Sequence, residues 1–204
     1  TSMFKRMSVL VRRPDHDRAT FSALWERHAA PVSKLPRVRG YIQNHIEEDF
    51  SAASTLRADG FVELLWDRPE DMTAAFASEA ARPMVADEPG FLGHGSGYAL
   101  ADVLPLAEAP GGKLIVAARG QWSADWRGVD SVAPTLPGLN GLLRDEVTTL
   151  IAKPGMAPPQ PVDAFYHLWF NDVPAAREAG FHLAGIADDG VVLDVYRVRT
   201  VRFV

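Results

Sequence analysis

The histidine with the clearest potential for proton transfer lies in the first half of the chain. Phe21, Leu24, Trp25 and His28 recur at helical spacing and form one stripe, so His28 is expected to point toward a sheet rather than water. An imidazole has an unperturbed pKa of about 6.5, which suits a general acid or base. The alternative interpretation is a buried structural histidine that bonds a backbone carbonyl or a carboxylate.

A second group of polar side chains alternates along a predicted strand. Tyr41, Gln43 and His45 project from one face, and Ile42 and Ile46 project from the other. If the two isoleucines pack under helices, the phenol, amide and imidazole face the opposite side and can orient a carbonyl or enolate oxygen. The alternative is a partly exposed edge on which these groups are solvated.

A carboxylate occupies an apolar strand further along the chain. Glu63 shares a face with Phe61 and Leu65, where its charge would be desolvated unless a partner is present. We expect it to hold one of the two histidines, His28 or His45, by a charge-assisted hydrogen bond. A structural ion pair with Arg39 or Arg6 is the alternative.

These patterns define the candidate site. The predicted catalytic residues are His28, Tyr41 and His45. The predicted substrate-binding residues are Gln43, Phe61, Glu63, Trp66, His167 and Trp169. No cofactor or metal is predicted, because the histidines lack compact metal-ligand spacing and the glycines at 93, 95 and 97 do not precede a helix.

The composition limits the classes of function. The chain has 204 residues, a net charge of -5 and no cysteine, which argues against nucleic-acid binding and excludes thiolate chemistry. No apolar run approaches the roughly 20 residues of a membrane helix, and no signal peptide is visible. A cytoplasmic protein that binds a small molecule, without nucleic-acid or membrane partners, is expected.

Periodicity predicts the order βαββαβ in the first half, which is a split βαβ module of the ferredoxin-like kind. The predicted elements are a strand over 3–11, a helix that starts after Asp15 or Asp17 and ends at Pro31 to Pro36, strands over 38–47 and 61–66, helices over 69–78 and 81–88, and a strand that follows the glycines and ends near 103. Residues 50–58 read as an irregular connection, and residues 105–112 read as a linker.

The second half repeats this order. Its predicted elements are strands over 113–119, 138–147, 165–170 and 191–204 and helices over 123–132 and 174–183. Leu35-Pro36 aligns with Leu136-Pro137 at an offset of 136 − 35 = 101, and Asp59 aligns with Asp163 at 163 − 59 = 104. We therefore predict two modules, 1–104 and 113–204, whose antiparallel sheets shelter each other in one α/β barrel.

The first half resembles the EthD family of dimeric α/β barrel proteins. The resemblance is carried by residues 21–31 (FSALWERHAAP), 35–45 (LPRVRGYIQNH), 59–66 (DGFVELLW) and 87–91 (DEPGF). It implies a module that pairs through its sheet face, here as a pseudo-dimer within one chain. Whether the chain also forms a homodimer is left open. Relatives include isomerases, lyases, decarboxylases and monooxygenases, and some distant ones bind haem, so fold transfers better than activity.

The second copy does not retain the candidate site residues of the first. At an offset of 101, His28 falls on Val129, Tyr41 on Leu142 and His45 on Glu146, and Glu63 falls on His167 at 104. A single pocket in the first module is predicted, with the second module as its wall.

Two main functions remain open on the sequence. One is a cofactor-independent acid–base enzyme (isomerase, dehydratase, decarboxylase or monooxygenase type) acting on an apolar oxygenated compound, and the other is a non-catalytic binding, accessory or stress protein. A haem or metal protein is a third. An interior closed by Phe61, Phe165 and Trp169 would favour binding alone, whereas an open cavity beside a hydrogen-bonded His28 would favour catalysis.

Overall fold

The computed structural model describes residues 2–51, 56–101, 103, 108–120, 128–186 and 190–204. Its strands are β1 (Phe4–Arg12), β2 (Gly40–Asp49), β3 (Gly60–Trp66), β4 (Leu92–Leu100), β5 (Gly112–Gly120), β6 (Leu139–Ala152), β7 (Ala164–Phe170) and β8 (Val191–Arg202). Its α-helices are α1 (Arg18–Val32), α2 (Pro69–Phe76), α3 (Ala81–Asp87), α4 (Gly128–Val132) and α5 (Val173–Ala184).

The predicted barrel is confirmed. The eight strands form a closed antiparallel barrel in the order β1-β3-β2-β8-β5-β7-β6-β4. Each module supplies four consecutive strands of this order. The seams between modules are the pairs β2–β8 and β4–β6, so hydrogen bonds rather than side-chain packing alone close the two sheets into one.

The two modules share the same internal register. Asn44 pairs with Phe61 in the first module, and Asp145 pairs with Phe165 in the second. Lys5 faces Leu65 in the same way that Lys113 faces Trp169. Residues of β1 and β5, the first strands of the two modules, are thus equivalent at an offset of 113 − 5 = 108. The second and third strands keep the offsets of 101 and 104 seen in the sequence.

The repeated aspartate has the same structural role in each copy. The Asp59 carboxylate accepts the Arg12 backbone N–H at 2.9 Å, and the Asp163 carboxylate accepts that of Gly120 at 2.8 Å. Each aspartate also donates its own N–H to the first strand of its module, to Leu10 or to Ala118. These paired bonds fasten the start of each third strand to the end of the first.

Several predicted boundaries differ from the structure. The glycines at 93, 95 and 97 lie inside β4 rather than before it, and Pro31 lies inside α1, which Asp17 caps through Thr20 N–H. The strand β6 extends to Ala152. Residues 52–55, 104–107 and 121–127 lie outside the described residues, so parts of the predicted connection, linker and fourth helix are not described.

The barrel interior is packed with side chains. Phe61, Phe165, Tyr98 and Tyr196 meet there in edge-to-face contacts, with ring centroids 5.1–6.2 Å apart. Separate apolar layers lie between each sheet and its helices. The space available to a ligand therefore has to be sought at the barrel ends or beneath the helices.

Candidate functional site

The predicted orientation of the β2 polar residues is wrong. Tyr41, Gln43 and His45 lie under helix α1, while Ile42 and Asn44 sit on the opposite face of the strand, which lines the barrel. Every residue from Gly40 to Ile46 is buried, so both faces of β2 are covered. Alternation separates the two faces of such a strand but does not identify which one meets the helices.

This reversal places Tyr41 on the same side of the sheet as His28. Helix α1 presents the buried His28 toward the sheet, as its apolar stripe predicts. The His28 Nδ1 lies 2.8 Å from Oδ2 of Asp87, at the end of helix α3. Because the Asp87 side chain is 51% exposed and its carboxylate accepts, Nδ1 is the protonated nitrogen.

His28 is neutral near pH 7. Burial lowers its pKa, and this effect outweighs the nearby Asp87 and Glu88 carboxylates, which raise it. Within the described residues, Nε2 has no hydrogen-bond partner. An imidazole held by Nδ1–H to a carboxylate, with an unprotonated Nε2, is the arrangement required of a general base.

A chain of hydrogen bonds fixes the Tyr41 hydroxyl. Ser22 Oγ lies 3.0 Å from His45 Nδ1, and His45 Nε2 lies 2.8 Å from Gln43 Oε1. The Gln43 amide donates to the Tyr41 oxygen at 2.7 Å and to the Trp25 carbonyl at 2.8 Å. Since the phenolic oxygen already accepts, its own hydrogen remains available for another acceptor.

His45 and Tyr41, on either side of Gln43 in this hydrogen-bond network, are both kept uncharged by their surroundings. Burial, together with the Arg199 cation, lowers the pKa of His45 to about 4. Burial also raises the pKa of Tyr41 above its ordinary value, although the Gln43 hydrogen bond opposes the shift. His45 and Gln43 thus hold the Tyr41 hydroxyl in place through hydrogen bonds, and the direct catalytic role of His45 stays a prediction.

His28 and Tyr41 line one cavity between sheet and helices of the first module. Its volume is about 60 Å³, and it is bounded mainly by apolar side chains. The lining includes Leu10, Trp25, Val32, Val62, Leu64, Phe91 and Leu92. An apolar cavity with a few convergent polar groups is the usual form of a small-molecule site.

A wider outer chamber of about 290 Å³ adjoins this cavity. The two share Arg6, Phe76, Met84, Glu88 and Lys153. Residues 151–154 and Met156 of the second module form one wall of the chamber. The second module therefore contributes to the access route, outside the barrel interior.

Glu63 does not contact His28, His45, Arg39 or Arg6. Its carboxylate lies inside the barrel, 2.7 Å from Lys5 Nζ and 3.2 Å from Lys113 Nζ, and it accepts from Asn44 at 2.8 Å. Burial would raise the pKa of Glu63, but the two lysines hold it well below its ordinary value.

The two predicted residues of the second module belong to this interior cluster. His167 Nε2 lies 2.9 Å from the Asp145 carboxylate, which Lys5 also contacts at 2.6 Å. Trp169 stacks on His167 and donates Nε1–H to Glu108 at 2.8 Å. We call Lys5, Asn44, Glu63, Lys113, Asp145 and His167 the barrel charge cluster.

The barrel charge cluster follows the internal repeat. Lys5 is equivalent to Lys113, Asn44 to Asp145 and Glu63 to His167. An amide–carboxylate pair in one module thus faces a carboxylate–imidazole pair in the other. Each pair carries one negative charge when His167 is neutral, and burial lowers the pKa of His167.

The remaining predicted binding residues have packing roles. Phe61 is a core residue of the barrel interior. Trp66 lies on the helix side, where it contacts Phe76 and donates Nε1–H to the Pro36 carbonyl at 3.2 Å. Neither Phe61 nor Trp66 lines the cavity that holds His28 and Tyr41.

Among the described residues, no group of three or more His, Asp or Glu side chains is arranged so that it could hold a metal ion. The three residues considered for a metal on the sequence are separated, because Glu63 faces the barrel while His28 and His45 face helix α1. A cavity of about 60 Å³ beside His28 is also much too small for a porphyrin. The residues around His28 therefore do not fit haem.

Residues 13–95 match the family model of the EthD domain. The first module is therefore similar to the EthD domain over these residues. The matched range includes His28, Tyr41 and Asp87, whereas Arg6, Ser8, Leu10 and Lys153 of the cavity lining lie outside it. The matched residues end before the second module, whose register nevertheless repeats that of the first.

Solved structures share the complete two-module barrel. A putative monooxygenase from Fusobacterium nucleatum superimposes with a TM-score of 0.58 at 8% identity, covering 98% of this chain and 93% of that chain. An anthrone oxidase-like protein superimposes with a TM-score of 0.55 at 9% identity, covering 98% of this chain and 93% of that chain. The putative chlorite dismutase TA0507 gives 0.52 at 10% identity, with 98% and 95% covered.

At such identities these likenesses establish the fold alone. A search of curated proteins finds no match to the sequence. None of the described helices is long and apolar enough to cross a membrane.

Proposed function

We propose that the first module carries out acid–base chemistry on a largely apolar, oxygenated small molecule, with His28 as the base. The observation that supports this most is the His28–Asp87 pair beside an apolar cavity. Burial keeps the imidazole neutral, and the carboxylate fixes which nitrogen receives a proton.

The chemistry follows from the positions of two groups. His28 Nε2 takes a proton from a C–H bond next to a carbonyl, and the Asp87 carboxylate stabilises the imidazolium that forms. The Tyr41 hydroxyl donates to the enolate oxygen, where negative charge develops. Isomerisation, dehydration, decarboxylation and cofactor-free oxidation can all proceed through the formation of such an enolate or through its protonation.

Non-catalytic binding is the second candidate. The packed barrel interior and the small volume beneath helix α1 favour it, because catalytic pockets commonly enclose about 300–1,000 Å³. The adjoining chamber of about 290 Å³ would bring the total volume into the range of a catalytic pocket. The exposed Asp87 carboxylate within hydrogen-bond distance of His28 is the arrangement that favours catalysis.

Hydrogen–deuterium exchange tests the proposed base without knowledge of the natural substrate. 2-Tetralone carries acidic C–H bonds next to its carbonyl, and anthrone carries an acidic methylene conjugated to its carbonyl through the aromatic rings. Exchange of these hydrogens in D2O can be followed by NMR. We expect the protein to accelerate exchange of at least one probe. The rate should rise with pH and level off once His28 is neutral, with its midpoint below 6.5 because burial lowers the pKa.

The two candidates give different results in this experiment. Binding of the probes without accelerated exchange would support non-catalytic binding. After subtraction of the exchange rate without protein, a rate that keeps rising through pH 8 would contradict His28 as the base.

A further inference from the structure

We propose that the pocket beneath helix α1 recognises a carboxylate on its ligand, and that the guanidinium of Arg6 binds it. This assigns a substrate class to the proposed site: a compact apolar body with one anionic group. It builds on the proposed function, but it concerns binding and can hold even if His28 performs no proton transfer.

Arg6 is a buried cation without an ionic partner among the described residues. It is 8% exposed, and its Nε is buried without a hydrogen-bond acceptor. The Nη1 group lies 4.0 Å from the Met72 sulfur, which is a weak acceptor, and the guanidinium lies over the Phe76 ring at 5.0 Å. Within the described residues, no carboxylate oxygen lies within 4.0 Å of it.

The acid that acts on Arg6 electrostatically is already engaged by another cation. Glu88 lies close enough to influence Arg6, but its carboxylate accepts from Lys153 Nζ at 2.9 Å. Both Glu88 and Lys153 line the two chambers together with Arg6. The mouth of the pocket therefore keeps an excess of cationic groups over free carboxylates.

The sheet is shaped to hold the guanidinium at this position. A methyl group on Gly97 of the neighbouring strand β4 would lie 2.8 Å from Arg6 Nη2. The glycine therefore leaves space that any side chain would fill. A buried cation is costly unless an anion pairs with it, so a prepared but unpaired position is most economically explained by an anionic ligand.

The second module supports this interpretation. The position equivalent to Arg6 is Leu114, at 6 + 108, and it is fully buried in an apolar core. The structurally matched site thus needs no cation to build the fold. Arg6 occurs in the module that has the cavity and the His28–Asp87 pair.

The geometry of arginine favours a carboxylate. Its planar fork donates two parallel hydrogen bonds to the two oxygens of one carboxylate. The apolar walls, including Leu10, Leu64 and Leu92, would enclose the remainder of the ligand. An aromatic or alicyclic carboxylate satisfies both requirements.

Matched probe pairs test this directly. Benzoate and 1-naphthoate are compared with benzamide and 1-naphthamide by titration calorimetry at pH 7, on wild type and on Arg6→Met, Arg6→Lys and the exposed control Arg82→Met. We expect the wild type to bind at least one acid about 10–100-fold more tightly than its amide. Arg6→Met should abolish that preference, Arg6→Lys should keep part of it, and Arg82→Met should leave it unchanged.

Thermal unfolding without ligand separates binding from a structural role. Because Arg6 has no ionic partner in the described residues, Arg6→Met should unfold at the same temperature as wild type or higher. A markedly lower midpoint, or equal affinity of wild type for acids and amides, would overturn the proposal. A carboxylate preference that survives His28→Gln, together with unaccelerated proton exchange in the wild type, would refute the catalytic proposal and leave this one standing.

Discussion

Replacing His28 by glutamine is expected to lower the probe-exchange rate by about 10²–10⁴-fold, the usual contribution of a positioned general base. Glutamine retains polar volume next to Asp87 but cannot accept a proton at neutral pH. Stability should change little, because the imidazole makes one described hydrogen bond, to a half-exposed carboxylate. The measurement is the NMR exchange rate at pH 7.5, with circular dichroism to confirm folding.

Two further variants make this result specific. His182→Gln, on the exposed surface of helix α5, should exchange the probe at the wild-type rate. Asp87→Asn should also slow exchange, because an amide stabilises the imidazolium less well than a carboxylate does. A His28→Gln protein that retains the wild-type rate would remove His28 from the mechanism.

The second large effect concerns stability and the barrel charge cluster. Lys5→Met is expected to reduce the free energy of unfolding by about 3–5 kcal/mol, since it leaves two buried carboxylates short of a cation. Lys5 Nζ lies 2.7 Å from Glu63 and 2.6 Å from Asp145, and all three side chains are at least 96% buried. Burial would lower the pKa of Lys5, but the two carboxylates raise it. Urea unfolding at pH 7 measures the loss.

The internal repeat supplies the matched control. Lys113 is the equivalent lysine, but one of its partners, Glu108, is 16% exposed and can be hydrated when the lysine is removed. Lys113→Met should therefore cost less than Lys5→Met. In the double variant Lys5→Met with Asp145→Asn, the loss should be smaller than the sum of the single losses, because one cation and one anion leave together. Additive losses would mean that the Lys5–Asp145 pair contributes no coupling energy.

The architecture could be predicted because local signals agree with it throughout the chain. Asp17 caps helix α1 as expected, and the two aspartates at 59 and 163 fasten the two copies through the same backbone bonds. The helical stripe correctly predicted that His28 is buried against the sheet. These features depend on spacing along one element, which a single sequence records.

The orientation of Tyr41 could not be predicted in the same way. When both faces of a strand are buried, apolar and polar residues occur on each, and alternation alone leaves two solutions. The choice depends on long-range partners: Asn44 reaches Glu63 and Lys113 in the barrel, so Tyr41 and Gln43 must face the helix.

Sequence reasoning also assigned no place in the site to two residues of the first strand, and it considered Arg6 only as an ionic partner of Glu63. Lys5 and Arg6 are adjacent charges inside a strand whose next five residues are all buried, so they must point to opposite covered faces. That signal was present in the sequence. Recognising it would have predicted one buried cation in the barrel and another beneath the helices.

The protonation state of His28 provides the most direct test of the proposed site. Long-range ¹H–¹⁵N correlation NMR of the imidazole rings, assigned with His28→Gln, reports which nitrogen carries the proton. At pH 7 we expect a neutral His28 with the proton on Nδ1 and a bare Nε2 whose resonance shifts when 1-naphthoate is added. A His28 that is cationic at pH 7, or that carries its proton on Nε2, would contradict its assignment as the base.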